Sequence, residues 1–286
     1  MSASSALRQA ARDQLPALRE AHPHHFRRLS RGQMMAVVGV VGAVALLVWA
    51  VIRLDLTPAR FLTGLQQLWH FITLMVPPDP GNATHLILNG LLETLAIAFL
   101  GTLLAACLAF PIGLLAAHNT TVNGIVRFAS RRMLDGIRGV DTLIWALIWV
   151  GVVGLGPFAG VLAIMTSDFG TFGKMFSEAI ESADGKAQEG VVASGGAPWH
   201  RIRFGVLPQV LPVIAGQVLY LFESNVRSSA IIGIVGAGGI GLHLSEMIRT
   251  LEWQAVSFIV LLILVLVAVI DFFSSRLRAA IAGTRA

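Results

Sequence analysis

The stretch LILNGLLETLAIAFLGTLLAACLAFPIGLLAA, residues 86–117, decides the fold class of this chain. It carries one charged residue, Glu93, and it is longer than the roughly 20 residues that cross a bilayer as a helix. Over all 286 residues, 55% are hydrophobic and 13% are charged, whereas soluble domains carry about 25% charged residues. The sequence therefore predicts an all-α protein that crosses a membrane several times.

Six transmembrane helices are predicted from the apolar stretches. They cover residues 33–52, 86–117, about 130–153, about 157–181, a span that begins at residue 204, and 255–273. A tight turn between the third and fourth helices is indicated by Gly154-Leu-Gly156-Pro157. In the same stretch, Gly156 and Gly160 match the G-x-x-x-G pattern, for which close backbone packing is the simplest role.

The segment 204–241 is too long for a single crossing. As a straight helix it would extend about 57 Å, nearly twice the roughly 30 Å hydrocarbon core. We predict one span followed by a bent or re-entrant piece, Ser228–Gly241, that lines the interior of an assembly, because irregular backbone is not tolerated against lipid. The glycines that permit its turns are candidate gate residues: Gly236, Gly238, Gly239 and Gly241.

The distribution of basic residues sets the predicted orientation. Most of the 21 Lys and Arg residues fall in the N-terminal arm, in the loop after the second helix, around residues 174–203 and in the C-terminal tail. Because cytoplasmic loops are enriched in Lys and Arg, both termini are expected in the cytoplasm. The predicted division is a cytoplasmic arm (1–32), a first membrane anchor (33–52), an extracytoplasmic loop (53–84), a membrane core (85–276) and a cytoplasmic tail (277–286).

Several kinds of site are disfavoured by the sequence. The run Gly236-Ala-Gly-Gly-Ile-Gly241 matches the dinucleotide pattern G-x-G-x-x-G, but it lies in a membrane segment and not in a soluble βαβ unit. The chain has no G-x-x-x-x-G-K-[ST] phosphate loop, so any ATP-driven activity needs a partner. The cluster His22, His24 and His25 is interpreted as a solvated arm, and no metal site is predicted. The spread of the basic residues through loops does not indicate nucleic-acid binding.

Charged and polar residues interrupt the apolar segment at 223–229. Glu223 and Arg227 are spaced i,i+4, so on a helix they can pair with each other. Alternatively, Arg227 and its polar neighbours offer hydrogen-bond donors to an anionic solute in a wet cavity, and both roles can coexist. The candidate translocation residues are Glu223, Ser224, Asn225, Arg227, Ser228 and Ser229. Glu93 is expected either at the interface or paired with a basic residue.

A polar loop at about 184–203 lies between apolar segments. It contains Glu189 and Gly195 and is followed by Leu207-Pro208. The spacing alone leaves two interpretations open, an ordinary connector and a short helix that docks onto a partner.

This loop resembles the EAA loop of type I ABC importer permeases. The spacing of Glu189, Gly195 and Leu207-Pro208 fits the family pattern, although Gly190 and Val191 replace its two alanines and Gly205 stands where isoleucine is usual. The resemblance covers about residues 85–280 and is similar in detail to the phosphonate-importer permease. The matching stretches are RRMLDGIR (131–138), VVGLGPFAGVLA (152–163), VLPQVLP (206–212), YLFESNVRSS (220–229) and IVGAGGIG (234–241).

The resemblance implies a membrane subunit of a bacterial importer in the inner membrane. Its partners would be a second copy of the chain, two ATPase subunits and an extracytoplasmic solute-binding protein. The chain itself would hold no cofactor, since ATP and Mg belong to the ATPase. The implied ATPase-coupling residues are Glu189, Gly190, Val191, Gly195, Leu207 and Pro208. The implied solute is a small oxyanion, a phosphonate first, with phosphite, hypophosphite or a phosphate ester as alternatives.

Two other classes of function are weaker. A stand-alone secondary transporter or channel would need an internal repeat or a charged relay within its spans, and we find no repeat and one polar interruption. A membrane enzyme would need a metal cluster or a nucleophile–base pair, and the sequence suggests neither. The chain is therefore expected to be a transport subunit and not an enzyme.

Overall fold

The computed structural model describes residues 31–55, 57–121 and 123–283. Every regular element in these ranges is helical. Most of the predicted N-terminal arm, with its histidine cluster, lies outside the described residues. The chain divides into two compact units, residues 1–71 and residues 72–286.

The first unit contains α1 (Arg31–Arg53) and most of α2 (Pro58–Leu74). Helix α1 confirms the predicted first apolar helix, and its large side chains are exposed, among them Leu46 and Trp49. The predicted outer loop 53–84 is not all loop, because 17 of its residues form α2. The apolar side chains of α2 recur at helical spacing, which is typical of a helix with one apolar face. Arg60 of α2 forms a salt bridge of 2.8 Å with Asp55, which lies between α1 and α2.

The second unit contains eight helices in its described part. They are α3 (Thr84–Ala116), α4 (Gly124–Arg138), α5 (Thr142–Val153), α6 (Pro157–Glu181), α7 (Gly185–Ala193), α8 (Leu207–Gly233), α9 (Ile240–Arg249) and α10 (Trp253–Gly283). A single helical turn, Pro198–His200, and a π-helical turn, Arg201–Val206, precede α8.

Helix α6 lies at the centre of this unit, packed against α3, α4, α5 and α8. Small residues let α3 approach it closely, as is common between membrane helices. A Cβ at Gly101 would lie 2.8 Å from the side chain of Ile164, and one at Gly113 would lie 2.9 Å from Cβ of Phe176. The buried side chains of Phe172 and Phe176 then fill the space between α3, α6 and the start of α8.

The predicted helix 130–153 is wrong as one element. The structure has α4 and α5 instead, bent by 86° at a short break. Asp141 causes the break locally, because its side chain accepts a hydrogen bond of 2.8 Å from the N–H of Leu143 and caps α5. Helix α4 is strongly amphipathic, with Leu134 as its one buried residue, whereas α5 is apolar all round.

The segment 204–241 bends, as predicted, but later than expected. Helix α8 continues through Ser228 and Ser229 to Gly233, because the hydroxyl of Ser229 donates to the carbonyl of Val226 at 3.0 Å and needs no break in the helix. The chain turns only over residues 234–239 and then continues as α9.

By length and hydropathy, four helical segments of the described chain can cross a membrane. They are Met34–Arg53, Gly81–Ala116, Pro198–Gly233 and Trp253–Ile281, with a fifth if α4 and α5 together form one broken span. Helix α6 is too polar to pass this test, and it is also the helix that is most enclosed by protein. The count of six spans therefore stays a prediction, whereas the all-helical class is confirmed.

Candidate functional site

The polar loop between α6 and α8 contains a well-capped nine-residue helix, α7. The side chain of Asp184 accepts a hydrogen bond of 3.0 Å from the N–H of Lys186 at its start. At its end Gly195 adopts φ +85°, a conformation that glycine reaches without strain, and its N–H donates to Val192 O at 2.9 Å. The short helix expected around Glu189 is therefore present.

Helix α7 has one face against the protein and one face free of it. Gln188 is buried, whereas Glu189 and Gly190 are exposed and the side chain of Val192 is 54% exposed. On the packed side, a Cβ at Gly205 would lie 3.0 Å from Cα of Gln188. Glycine at position 205 thus lets the π-helical turn lie directly against α7, which explains the departure from the isoleucine of the family pattern.

Gln209 fixes α7 to the start of α8. Its Oε1 accepts a hydrogen bond of 2.9 Å from the N–H of Asp184, and its Nε2 donates to the carbonyl of Gly205 at 2.6 Å. Leu207 and Pro208 begin α8, with Pro208 in the first turn, where its missing N–H costs nothing. The sequence analysis missed Gln209, because its partner lies 25 residues away and nothing local marks it.

Further hydrogen bonds tie this region to the ends of α3 and α6. Arg201 donates to the carbonyl of Asn119 at 2.9 Å, and the side chain of Asn119 donates to the carbonyl of Ile180 at 2.6 Å. Glu181 accepts from the N–H of His118 at 2.7 Å and pairs with Arg131 of α4. We call this region, residues 116–119, 180–209 and Arg131, the coupling end, after the role that the sequence analysis expects for it.

Glu223 lies at the centre of a charged group along α8. Its two carboxylate oxygens accept from different arginines, Arg227 at 3.3 Å and Arg278 of α10 at 3.1 Å. The predicted i,i+4 pair is therefore present. Arg278 also comes within 4.0 Å of Asp271. The side chain of Arg227 is 48% exposed and that of Glu223 11%, so the guanidinium of Arg227 is the more accessible of the two.

The other predicted translocation residues divide into two groups. Asn225 and Ser229 are buried: Asn225 donates to Thr102 at 2.8 Å and to the carboxylate of Asp168, and Ser229 donates to backbone carbonyls. Ser224 and Ser228 are half-buried. Asn225 and Ser229 therefore contribute to packing among α3, α6 and α8, and they do not stand beside Arg227 as exposed donors.

Asp168 is a buried polar residue that the sequence analysis missed. It is 7% exposed and lies in the central helix α6, where it accepts from Asn225. The available signal was the polar run Thr166-Ser167-Asp168 within an otherwise apolar span. Such a residue inside a membrane bundle normally faces other protein groups.

Three of the four candidate gate glycines lie in a tight turn against the α5–α6 connection, and the fourth, Gly241, lies at the start of α9. Gly236, Gly238 and Gly239 have φ of +94°, +81° and +73°, and a Cβ at Gly241 would overlap the carbonyl oxygen of Ala230. The N–H of Gly156 donates to the carbonyl of Gly236 at 2.9 Å, and a Cβ at Gly160 would lie 2.5 Å from the carbonyl of Ala237.

Two further groups of residues were considered in the sequence analysis, Glu93 and the possible metal ligands. Glu93 lies beside it, since a Cβ at Gly238 would be 2.8 Å from its Oε1. No group of three or more His, Cys, Asp or Glu residues suited to a metal ion occurs in the part of the chain that the structure describes.

The chain is similar to known transport proteins over most of its length. Residues 109–283 match the family model described as binding-protein-dependent transport system inner membrane component. The chain is 40% identical to a putative phosphite transport system permease protein of Stutzerimonas stutzeri, over 89% of each chain. It is 37% identical to the phosphite transport system permease protein PtxC of the same organism, over 92% of this chain and 95% of the relative.

Two other similarities extend this pattern. A phosphate-import permease protein of Mycolicibacterium smegmatis is 35% identical over 80% of this chain and 43% of its own length. Among solved structures, the inward-facing MetNI methionine ABC transporter matches with a TM-score of 0.62 at 21% identity, over 70% of this chain and 97% of that one. At this identity the structural match establishes the fold, which is that of a type I ABC importer permease.

Proposed function

Because the chain belongs to the family of binding-protein-dependent transport system inner membrane components, and is therefore the permease subunit of an ABC importer, we propose that it imports a phosphorus oxyanion. It is a multi-pass inner-membrane transport component and not an enzyme, and permeases of this family work with an ATPase and a binding protein. The proposed solute is a phosphonate or phosphite. The proposed assembly is a dimer of this chain with two ATPase subunits, which hold ATP and Mg.

The proposal for energy coupling rests on the two-faced character of α7. Gln188 and Gln209 hold one face against the subunit, while Glu189, Gly190 and Val192 stand free for another chain. A short helix fixed at its start and along its inner face moves as a rigid body, so force from an ATPase is transmitted into α8 through residues 201–209. This arrangement supports α7 as the coupling helix.

The proposal for the pathway rests on Arg227. The carboxylate of Glu223 is shared by two guanidiniums. Each guanidinium therefore keeps N–H groups that can donate hydrogen bonds to a passing oxyanion. Arg227 is the more exposed of the two, with a side chain 48% exposed against 29% for Arg278. A half-exposed arginine on a predicted membrane span requires a polar surrounding, and a wet pathway between two copies of the chain provides one.

The choice of solute comes from the relatives. Two relatives that match this chain almost end to end are named as phosphite permeases, and others are named as phosphonate or phosphate permeases. These solutes share a tetrahedral phosphorus centre with at least two anionic or acceptor oxygens, which suits guanidinium donors.

The pathway proposal is tested by Arg227→Ala in the complete transporter. We expect phosphite- and methylphosphonate-dependent uptake into proteoliposomes to fall by about tenfold or more, because a charged hydrogen bond is worth roughly 1.5–3 kcal/mol. Copurification of the ATPase should not change. The matched control is Arg276→Ala, since Arg276 stacks on Phe272 at 4.3 Å and is outside the Glu223 group. Unchanged uptake in Arg227→Ala would contradict the pathway.

The proposed orientation places both termini and α7 in the cytoplasm. In a background with Cys107→Ser, a cysteine introduced at position 195 should react with an impermeant maleimide in inside-out vesicles only. Gly195 is exposed, so poor access does not interfere with this test. Labelling of this cysteine in right-side-out cells would contradict the proposed orientation and place α7 outside the cytoplasm.

A further inference from the structure

Helix α2 (Pro58–Leu74) has two faces of different chemistry. Successive residues of a helix lie about 100° apart, so side chains three and four positions apart share a face. One half of the surface of α2 carries large apolar side chains, which we call the apolar face: Phe61, Leu62, Leu65, Leu68, Trp69 and Ile72. The opposite half carries polar side chains: Arg60, Thr63, Gln66, Gln67, His70 and Thr73.

The apolar face is not covered by any part of the chain that the structure describes. No residue of α2 is buried, and Phe61 and Trp69 are 75% and 71% exposed. A continuous row of large apolar side chains along one helix is unfavourable in water. The apolar face therefore indicates a contact with something other than solvent.

The start of α2 adjoins the end of a membrane helix. Helix α1, which is long and apolar enough to cross a membrane, ends at Arg53, and α2 begins at Pro58. The short connection is closed by the salt bridge of 2.8 Å between Asp55 and Arg60. Because the apolar stretch of α1 ends at the membrane surface, α2 begins at that surface.

The chain that follows α2 is held at the start of another membrane helix. Helix α10 begins at Trp253 and is also long and apolar enough to cross. The carbonyl of Met75 accepts a hydrogen bond of 2.6 Å from the hydroxyl of Ser257, and the N–H of Asp79 donates to the carbonyl of Gln254 at 3.3 Å. Both ends of α2 therefore adjoin the ends of membrane helices, whereas α2 itself is not among the segments suited to crossing.

The composition of α2 suits the boundary between lipid headgroups and acyl chains. Its one Lys or Arg residue, Arg60, is paired with Asp55, so attraction to anionic lipid contributes little and the apolar face supplies the binding. Trp69 lies near the edge of the apolar face, where an indole ring can contact acyl chains and donate its N–H to headgroups or water. An amphipathic helix of this kind lies parallel to the membrane, with its apolar side about 5–10 Å into this boundary.

We infer that α2 lies in the plane of the membrane, with its apolar face in the lipid leaflet at which α1 ends and α10 begins. In the proposed orientation, this is the extracytoplasmic leaflet of the inner membrane. The contact with lipid rests on α1 and α10 as membrane spans, and it does not depend on the solute or on the ATPase. The outer loop 53–84 is then bound to lipid over the length of α2.

The test measures the surroundings of α2 in the whole transporter, with its ATPase, in nanodiscs of phosphatidylethanolamine and phosphatidylglycerol. In a Cys107→Ser background, a nitroxide is attached to Leu65→Cys on the apolar face or to Thr63→Cys on the opposite face. Accessibility is measured to oxygen, which concentrates among acyl chains, and to a nickel chelate, which stays in water. The ratio of oxygen to nickel accessibility at position 65 should exceed that at position 63 by about tenfold, because acyl chains contact only the apolar face.

A second pair, Leu68→Cys and Gln66→Cys, repeats this comparison on the same two faces, and recovery of the ATPase with each variant shows that the transporter is assembled. Shielding of positions 65 and 68 from both reagents would mean that protein covers the apolar face, and the inference would be wrong. Equal access of the nickel chelate to positions 65 and 63 would place the face in water and would also contradict it. Neither result bears on import, which uptake by the same variants measures separately.

Discussion

Glycines are used in opposite ways in two regions of this subunit. On the exposed side of the coupling end, a Cβ added at Gly190 or Gly195 would have no protein atom within 4 Å, whereas Gly196 and Gly205 of the same region pack against Val191 and Gln188. At the end of α8 and the start of α9, a Cβ at Gly233 or Gly241 would strike backbone atoms. The comparison indicates that Gly190 and Gly195 border free space on the exposed side of α7, where we propose that another chain packs, whereas the junction of α8 and α9 packs the subunit's own helices without space between them.

The largest effect is expected for Gly241→Ala, which tests the close packing between α8 and α9. The new methyl group would overlap the carbonyl oxygen of Ala230, a backbone atom that cannot move without distorting α8. We expect a loss of about 3 kcal/mol or more in stability and little folded protein after extraction into detergent. Size-exclusion profiles and thermal midpoints of the purified subunit measure the effect.

The matched control for this change is Gly216→Ala, in the same region of the chain. Gly216 lies in α8, and a Cβ added there would have no atom within 4 Å, so alanine at this position should be neutral or slightly stabilising. Equal behaviour of the two variants would show that the α8–α9 turn is not tightly packed.

The next largest effect is expected for Glu189→Lys combined with Gly195→Asp, which tests the exposed side of the coupling end. Both positions are exposed, and Asp tolerates the positive φ of Gly195 better than most residues, so the thermal midpoint of the isolated permease should fall by no more than a few degrees. The ATPase should be lost on affinity purification, because charge reversal in the middle of an interface weakens binding by more than about tenfold. Gly124→Ser, an exposed site on α4 with free space around it, is the control. Normal recovery of the ATPase would contradict the coupling role of α7.

A smaller effect is expected for Gln209→Ala, which weakens the attachment of α7 to α8 and leaves the exposed side of the coupling end unchanged. The change removes hydrogen bonds to Asp184 and Gly205, each worth about 1 kcal/mol. The ATPase should still copurify, but less hydrolysis should be converted into uptake, because α7 is no longer fixed to α8. The ratio of solute imported to ATP hydrolysed is the measurement. An unchanged ratio would show that α7 is held by backbone packing alone.

The regions differ also in how far the sequence predicted them. Apolar length and the glycine spacing indicated the helices and the turn after α8, and the polar run around Glu189 indicated a short helix between spans. These features depend on neighbours in sequence. The hydrogen bonds of Gln209 to Asp184 and of Asn225 to Asp168 join residues 25 and 57 positions apart, so no local pattern marks them.

The break between α4 and α5 was missed for a different reason. Gly139 at the end of α4 and the N-capping Asp141 are a local signal for a break, but the sequence analysis joined the segments to reach the length of a full span. The 86° bend depends on α4 lying against α6 through Leu134 and Gly170, where a Cβ would lie 2.8 Å from the N–H nitrogen of Arg138. This contact joins segments that are distant in the sequence. The hydrophobic periodicity of α4 alone therefore does not predict the angle between α4 and α5.

The smallest effect is predicted for Gly190→Ala, which tests whether the space around this glycine stays open in the assembled transporter. Gly190 lies inside α7, and alanine there restores one of the residues of the family pattern. Because no atom lies within 4 Å of the added methyl group, the helix should gain up to about 1 kcal/mol without strain. Protection of the α7 amides from hydrogen exchange should rise, while ATPase copurification and uptake change by less than about twofold. A clear loss of ATPase binding would mean that the partner chain approaches the backbone at Gly190 itself. The space around Gly190 would then be filled by the partner chain in the assembled transporter, just as the space around Gly241 is filled by the subunit's own backbone.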